Sequence, residues 1–155
     1  MVTVTNQRVL VVDDDIDVRN ILTSVLEKRG LSVHSAGDGR EALDLLAENA
    51  YAVIVLDLLL PRVDGFDVLR QLQKGELMQP PPVVLVLTGA PNEVVERLDP
   101  QRIHGLVRKP FDPEDLASLI VACADVKRRG TFPTMAIATL VSGAQLFAWL
   151  NRFNG

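Results

Sequence analysis

Short apolar runs punctuate the chain at residues 8–12, 31–36, 52–56, 83–87 and 105–108. Each is too short for a helix, and several are rich in Val and Ile, which predicts five β-strands. Three of them, read as VLVV, AVIVL and VVLVL, are almost continuously apolar. A strand with one face in water alternates, so an unbroken run predicts burial on both faces of a parallel sheet. Between the runs the apolar spacing changes to three and four. Ile16, Ile21, Leu22, Val25 and Leu26 form a helical stripe over 16–29 that stops at Gly30. Asp38 caps a second helix with Ala42, Leu43, Leu46 and Ala47 inward, and Phe66, Leu69 and Leu72 line a third after a turn at Asp64 and Gly65. A short fourth helix spans about 92–98. The fifth opens on Asp112 as cap, with Pro113 at the first helical position and Glu114 and Asp115 in the first turn. Leu116, Leu119, Ile120 and Cys123 then follow on one stripe. The proline run 80–82 fixes an extended approach to the fourth strand.

Strands alternating with helices predict an α/β fold, a five-stranded parallel sheet, doubly wound, with helices on both faces. Such sheets bind ligands beyond the carboxyl ends of their strands. The polar candidates collect there: Asp13, Asp14 and Asp15 after the first strand, Asp57 after the third, Thr88 at the fourth, and Lys109 and Pro110 after the fifth. Adjacent carboxylates can both turn into one pocket once the chain bends past a strand end. Three crowded carboxylates raise one another's proton affinity unless a cation compensates. Hard oxygen donors without a neighbouring His or Cys suit magnesium better than zinc or copper. Lys109 adds a point charge and Thr88 a hydroxyl donor, which together suit the oxygens of a phosphoryl group. Asp15 reads as the cap of the first helix, and Asp67 as a solvated helix residue.

Composition adds a boundary. The 155 residues are 48% hydrophobic and 23% charged, as in an ordinary folded domain. All 20 acidic residues lie within 1–125 against 12 basic ones, a net −8, whereas 126–155 carries four basic residues and no acid. An acidic body without a basic stripe argues against direct nucleic-acid binding by 1–125. One cysteine, Cys123, excludes an internal disulfide, and the first residues lack a signal-peptide layout, so the expected location is cytoplasmic. His34 and His104 have no companion at metal-ligand spacing and are assigned no chemistry. Residues 134–150 hold no charge and predict a helix apolar on most faces. They are too short and too interrupted, by Ser142, Gly143 and Gln145, for a membrane span. Such a helix needs cover, from the body of the chain, a partner or a second copy, and a homodimer through this tail is the expectation taken forward. Phe147 and Trp149 are read as its packing residues.

The segments VLVVDDD, VIVLDLLLPRVDGFDVL, VVLVLTGA and VRKPF resemble the marker segments of response regulator receiver domains of two-component signalling, over about residues 8–127. The resemblance implies a flavodoxin-like, chemotaxis-regulator-like receiver over 1–127 and a short basic and apolar tail over 128–155. It implies Asp57 as the acceptor of a phosphoryl group from a histidine kinase or phosphotransfer protein. Asp13, Asp14, Asp57 and the backbone carbonyl of Leu59 would hold Mg2+, and Thr88 and Lys109 would be the switch hydroxyl and the phosphate-pairing lysine. It further implies a cis peptide before Pro110, self-catalysed phosphorylation with slow dephosphorylation, and a downstream protein partner of unspecified kind. A phosphorelay or phosphate-sink receiver, and a docking module with a vestigial site, are the alternative functions. An aspartyl phosphatase would need an acid where Leu59 stands. The sequence departs from the family at Leu106, where a Tyr or Phe usually couples to the threonine, and at Leu59, which cannot orient an attacking water.

Overall fold

The protein is described by a computed structural model that covers residues 7–75 and 80–129. Its elements are β1 (Arg8–Val12), α1 (Ile16–Lys28), β2 (Ser32–Ala36), α2 (Gly39–Glu48), β3 (Val53–Leu56), α3 (Gly65–Gln73), β4 (Val83–Thr88), α4 (Asn92–Val95), β5 (Gly105–Arg108) and α5 (Pro113–Arg129). All strands are parallel, in the order β2-β1-β3-β4-β5. This is the doubly wound parallel sheet that the strand and helix alternation predicts, in the flavodoxin-like order that the resemblance implies. The residues of the expected tail beyond Arg129, with its helix, its proposed dimer contact, Phe147 and Trp149, lie outside the described residues. Among the described residues no helix is long and apolar enough to cross a membrane.

The unbroken apolar runs are explained by two cores, one on each face of the sheet. Leu10, Val12, Ile54, Leu56, Val84 and Val86 point to the side of α2 and α3, where Ala42, Leu46, Val68 and Leu69 meet them. The alternate positions Val9, Val11, Val53, Val55, Val83, Leu85 and Leu87 point to α1 and α5, against Leu22, Leu26, Leu119, Ile120 and Cys123. Burial pushes the Cys123 thiol up to about 12, so it behaves as a small core hydrophobe.

Three helix faces differ from expectation. Ile16 and Ile21 are exposed, because α1 turns Leu22 and Leu26 to the sheet with Val18 and Val25 beside them, and the other two fall off that stripe. Ala47 is exposed while Gly39, Ala42 and Leu46 form the buried face of α2. The helix expected over 92–98 ends at Val95 and gives way to turns and a 3-10 turn at Pro100–Arg102. It has no side-chain cap, and Pro100 biases Asp99 away from helical backbone.

The opposite edge of the sheet from the candidate site is closed by side chains that bind backbone groups. His104 Nδ1 accepts the Val84 backbone N–H at 2.9 Å while the His104 N–H donates to the Val84 carbonyl at 2.8 Å. The ring therefore serves as the acceptor that backbone would otherwise supply. Gln7 Nε2 donates to the Ala124 carbonyl at 2.7 Å and Lys127 Nζ to the Pro81 carbonyl at 2.6 Å. His34 Nδ1 lies 2.7 Å from the Tyr51 hydroxyl, with the rings edge to face. Both histidines are structural.

Candidate functional site

The sheet continues one residue past the strands, and that extension places the polar groups. The Asp13 N–H donates to the Ala36 carbonyl at 3.1 Å, the Asp57 N–H to the Val12 carbonyl at 3.0 Å, and the Lys109 N–H to the Thr88 carbonyl at 3.0 Å. Each site residue is thus the first beyond its strand, held in the ladder rather than on a free loop. Asp13, Asp57 and Thr88 are at most 5% exposed, whereas Asp14 is exposed. Oxygens of Asp13, Asp14 and Asp57 all lie within 4.8 Å of one another. The convergence read from the sequence is therefore present.

Asp57 Oδ1 accepts from the Thr88 hydroxyl at 2.8 Å and from the Leu59 N–H at 3.3 Å. Lys109 Nζ lies 3.1 Å from Asp57 Oδ2 and 2.6 Å from Asp13 Oδ2. The second contact is an ion pair without hydrogen-bond alignment, so Asp13 Oδ2 is a buried oxygen with no directed donor. Asp13 Oδ1 is bound by the Asp15 N–H at 2.9 Å. Burial raises the Asp13 pKa above the ordinary carboxylate value, and Lys109 and the Asp15 N–H only partly offset it. Burial alone would lower Lys109, but the Asp13 and Asp57 carboxylates outweigh it and hold the ammonium above its ordinary value. The pocket carries three formal negative charges against one lysine. A buried carboxylate oxygen without a directed donor, beside two further carboxylates, fits a small hard cation with oxygen ligands.

The loop after β3 is built to fit this pocket. Asp64, expected only as part of a turn, caps α3 by accepting the Asp67 N–H at 3.0 Å. A Cβ on Gly65 would stand 2.3 Å from the Asp57 carbonyl oxygen, and one on Gly39 would stand 2.0 Å from that of Val63. Only glycine permits either approach. Asp67, expected in solvent, is partly buried and paired with Arg70. Leu59 follows Asp57 by two residues and is 52% exposed. The peptide before Pro110 is cis, as the resemblance implies.

Three arginines escaped the sequence reading. Arg19 donates from Nη1 to the Asp13 carbonyl at 2.6 Å and packs over Gly37. Arg62, at φ +65°, reaches back to Asp38, whose carboxyl is held below its usual range first by the Glu41 N–H and then by this guanidinium. Arg108 reaches from β5 to the Ala90 carbonyl and the Asn92 side chain. The only signal was position: one lies about one helical turn after the acidic run, one just before Asp64, one beside Lys109. Asp15, by contrast, caps α1 as expected.

Comparison with known proteins agrees with this geometry. Residues 9–121 match the model of the response regulator receiver domain. Transcriptional regulatory protein SrrA of Staphylococcus aureus is 35% identical over 117 residues, which are 76% of this chain and 47% of SrrA. The chain spans about half the length of the curated relatives it matches. A CheY-like receiver domain from Methanospirillum hungatei superposes with a TM-score of 0.69 at 28% identity, over 80% of this chain and 98% of that one. TrrA from Thermotoga maritima, solved with Mg(2+)-BeF, superposes with a TM-score of 0.64 at 25% identity, over 76% and 98%. By sequence, sheet order and pocket, the chain belongs to the response regulator receiver domain family of two-component signalling.

Proposed function

We propose that this chain is a phospho-accepting receiver in which Asp57 takes a phosphoryl group from a sensor histidine kinase or phosphotransfer protein and thereby changes partner binding. The observation that carries it is the placing of Asp57 between the Thr88 hydroxyl and Lys109 Nζ, beside Asp13 and Asp14. An Asp57 carboxylate oxygen attacks phosphorus, the bond from phosphorus to the donor's histidine nitrogen breaks, and an acyl phosphate forms. Lys109 pairs with the transferred phosphoryl oxygens, and Thr88 donates its proton to one of them. Asp13, Asp14, Asp57 and the Leu59 backbone carbonyl would hold Mg2+, which when bound would supply positive charge to offset that of the phosphoryl group. The Thr88 hydroxyl and Lys109 Nζ hold the two carboxylate oxygens in place before transfer. The setting is the cytoplasm, with one domain over 1–127 and the tail 128–155 as a separate docking element.

The test is incubation with a small-molecule phosphodonor and Mg2+, read by mass. The chain gains one phosphoryl group and Asp57→Asn gains none. Absence of uptake by the unmodified chain would favour the docking-module alternative. Onward transfer from the phosphorylated chain to a histidine-containing carrier would identify a phosphorelay or sink instead of a terminal switch.

A further inference from the structure

Leu106 packs against the core on the α4 side of β5 and has no hydroxyl, so it cannot relay a change at Thr88 through a hydrogen bond. Two residues along the same face of the same strand stands Arg108, whose Cα pairs with that of Thr88 in the ladder. We propose that Arg108 couples the state of Asp57 to the surface of β5. It ties the loop between β4 and α4 to that strand while Asp57 is unmodified, and releases the loop when Thr88 turns to a phosphoryl group. The inference rests on the phospho-accepting reading above.

The connection runs through one small buried residue. Ala90 is 1% exposed. Its N–H donates to Thr88 Oγ1 at 3.1 Å, and its carbonyl accepts from Arg108 Nη1. The other arm of the guanidinium donates to Asn92 Oδ1 at the first residue of α4. One acceptor of the fork therefore lies in the loop that Thr88 holds from the other side, and the other at the helix start where that loop ends. The Thr88 hydroxyl has a single proton, given to Asp57 Oδ1 at 2.8 Å. Once Asp57 carries a phosphoryl group, that proton is needed by a phosphoryl oxygen. Turning it re-aims the lone pair that receives the Ala90 N–H, so Ala90 follows. Its carbonyl then leaves the fork, and the guanidinium is presented on the outer side of β5. A bidentate guanidinium suits this role because its planar fork tolerates little displacement.

Whatever Arg108 contributes to the unmodified arrangement opposes the modified one, and the coupling is reciprocal. Removing the fork therefore favours a phosphoryl mimic. The experiment is titration of the full chain with beryllofluoride in saturating Mg2+, on the unmodified chain, Arg108→Ala, Arg108→Lys, Asn92→Ala and the Arg108→Ala/Asn92→Ala double variant. Arg108→Ala lowers the half-saturating beryllofluoride concentration by about threefold to tenfold, the scale of one charge-assisted contact at a half-exposed site. Arg108→Lys, which keeps charge without the fork, and Asn92→Ala give smaller shifts in the same direction. The double variant adds nothing to Arg108→Ala, since that substitution already removes the contact to Asn92. Amide exchange across residues 89–95 rises on beryllofluoride addition in the unmodified chain and is already raised in Arg108→Ala. An Arg108→Ala titration equal to that of the unmodified chain, or weaker, overturns the coupling alone. No binding to the unmodified chain overturns the phospho-accepting reading and the coupling with it.

Discussion

The two edges of the sheet use the same backbone device and end in opposite electrostatic states. At the amino edge His104, Gln7 and Lys127 each find a backbone partner, so the polar groups close on one another. At the carboxyl edge the ladder delivers Asp13 and Asp57 side by side with a single lysine between them. One edge is largely satisfied by the chain itself, with the Arg8 Nε as its one buried side-chain atom lacking a partner among the described residues. The other is left with excess negative charge, and burial makes that excess costly unless a cation shares it.

The largest expected effect comes from Asp13→Asn, which removes a metal-holding charge while relieving a crowded one. Phosphoryl uptake slows on the order of a hundredfold, and the melting temperature holds or rises. A variant that takes up phosphate normally would show that Asp13 only shapes the pocket. Next is Lys109→Ala, which strands two buried carboxylates. Without Mg2+ it loses stability by about 3 kcal/mol, the scale of a broken buried pair, and Mg2+ restores most of the loss. Denaturant unfolding with and without the ion checks this, and indifference to Mg2+ would place no cation among Asp13, Asp14 and Asp57.

At the amino edge the expected effects are smaller and do not depend on metal. His104→Ala leaves the buried Val84 N–H without its acceptor and costs about 1–2 kcal/mol, with phosphoryl uptake unchanged. Burial, and then the charge of Lys127, lowers the His104 pKa in the folded state. The unfolded chain then binds the proton more readily. The stabilising contribution is complete above the ordinary histidine value near 6.5 and is lost as pH falls from there through the lowered folded value. In His104→Ala this part of the pH dependence disappears; an unaltered profile would assign it to other groups. The smallest effect is kinetic. Leu59→Asn places a polar group beside Asp57 and shortens the acyl phosphate lifetime a few-fold, with uptake and stability little changed.

Much of the carboxyl edge was legible in the sequence because backbone geometry, not packing detail, assembles it. A run such as VLVV fixes a doubly buried strand, and the next residue is then committed to the strand end. Asp13, Asp57, Thr88 and Lys109 follow from that logic. The supports of the site were not legible. Arg19 and Arg108 act on backbone carbonyls, and no residue pattern announces which carbonyl a long side chain will reach. Gly65 looked like a turn glycine until the Asp57 carbonyl was found against it. Ile16 and Ile21 misled because a helix stripe was read from apolar identity alone, although only part of α1 faces the sheet.

The ladder contact between the Asp57 N–H and the Val12 carbonyl also acts as a parity lock. Side chains in a strand alternate, so a one-residue slip of β3 against β1 would exchange the two cores and turn the acceptor out of its pocket together. A one-residue slip therefore cannot yield a well-packed but mute receiver, because the parity that sorts the two cores is also the parity that aims Asp57.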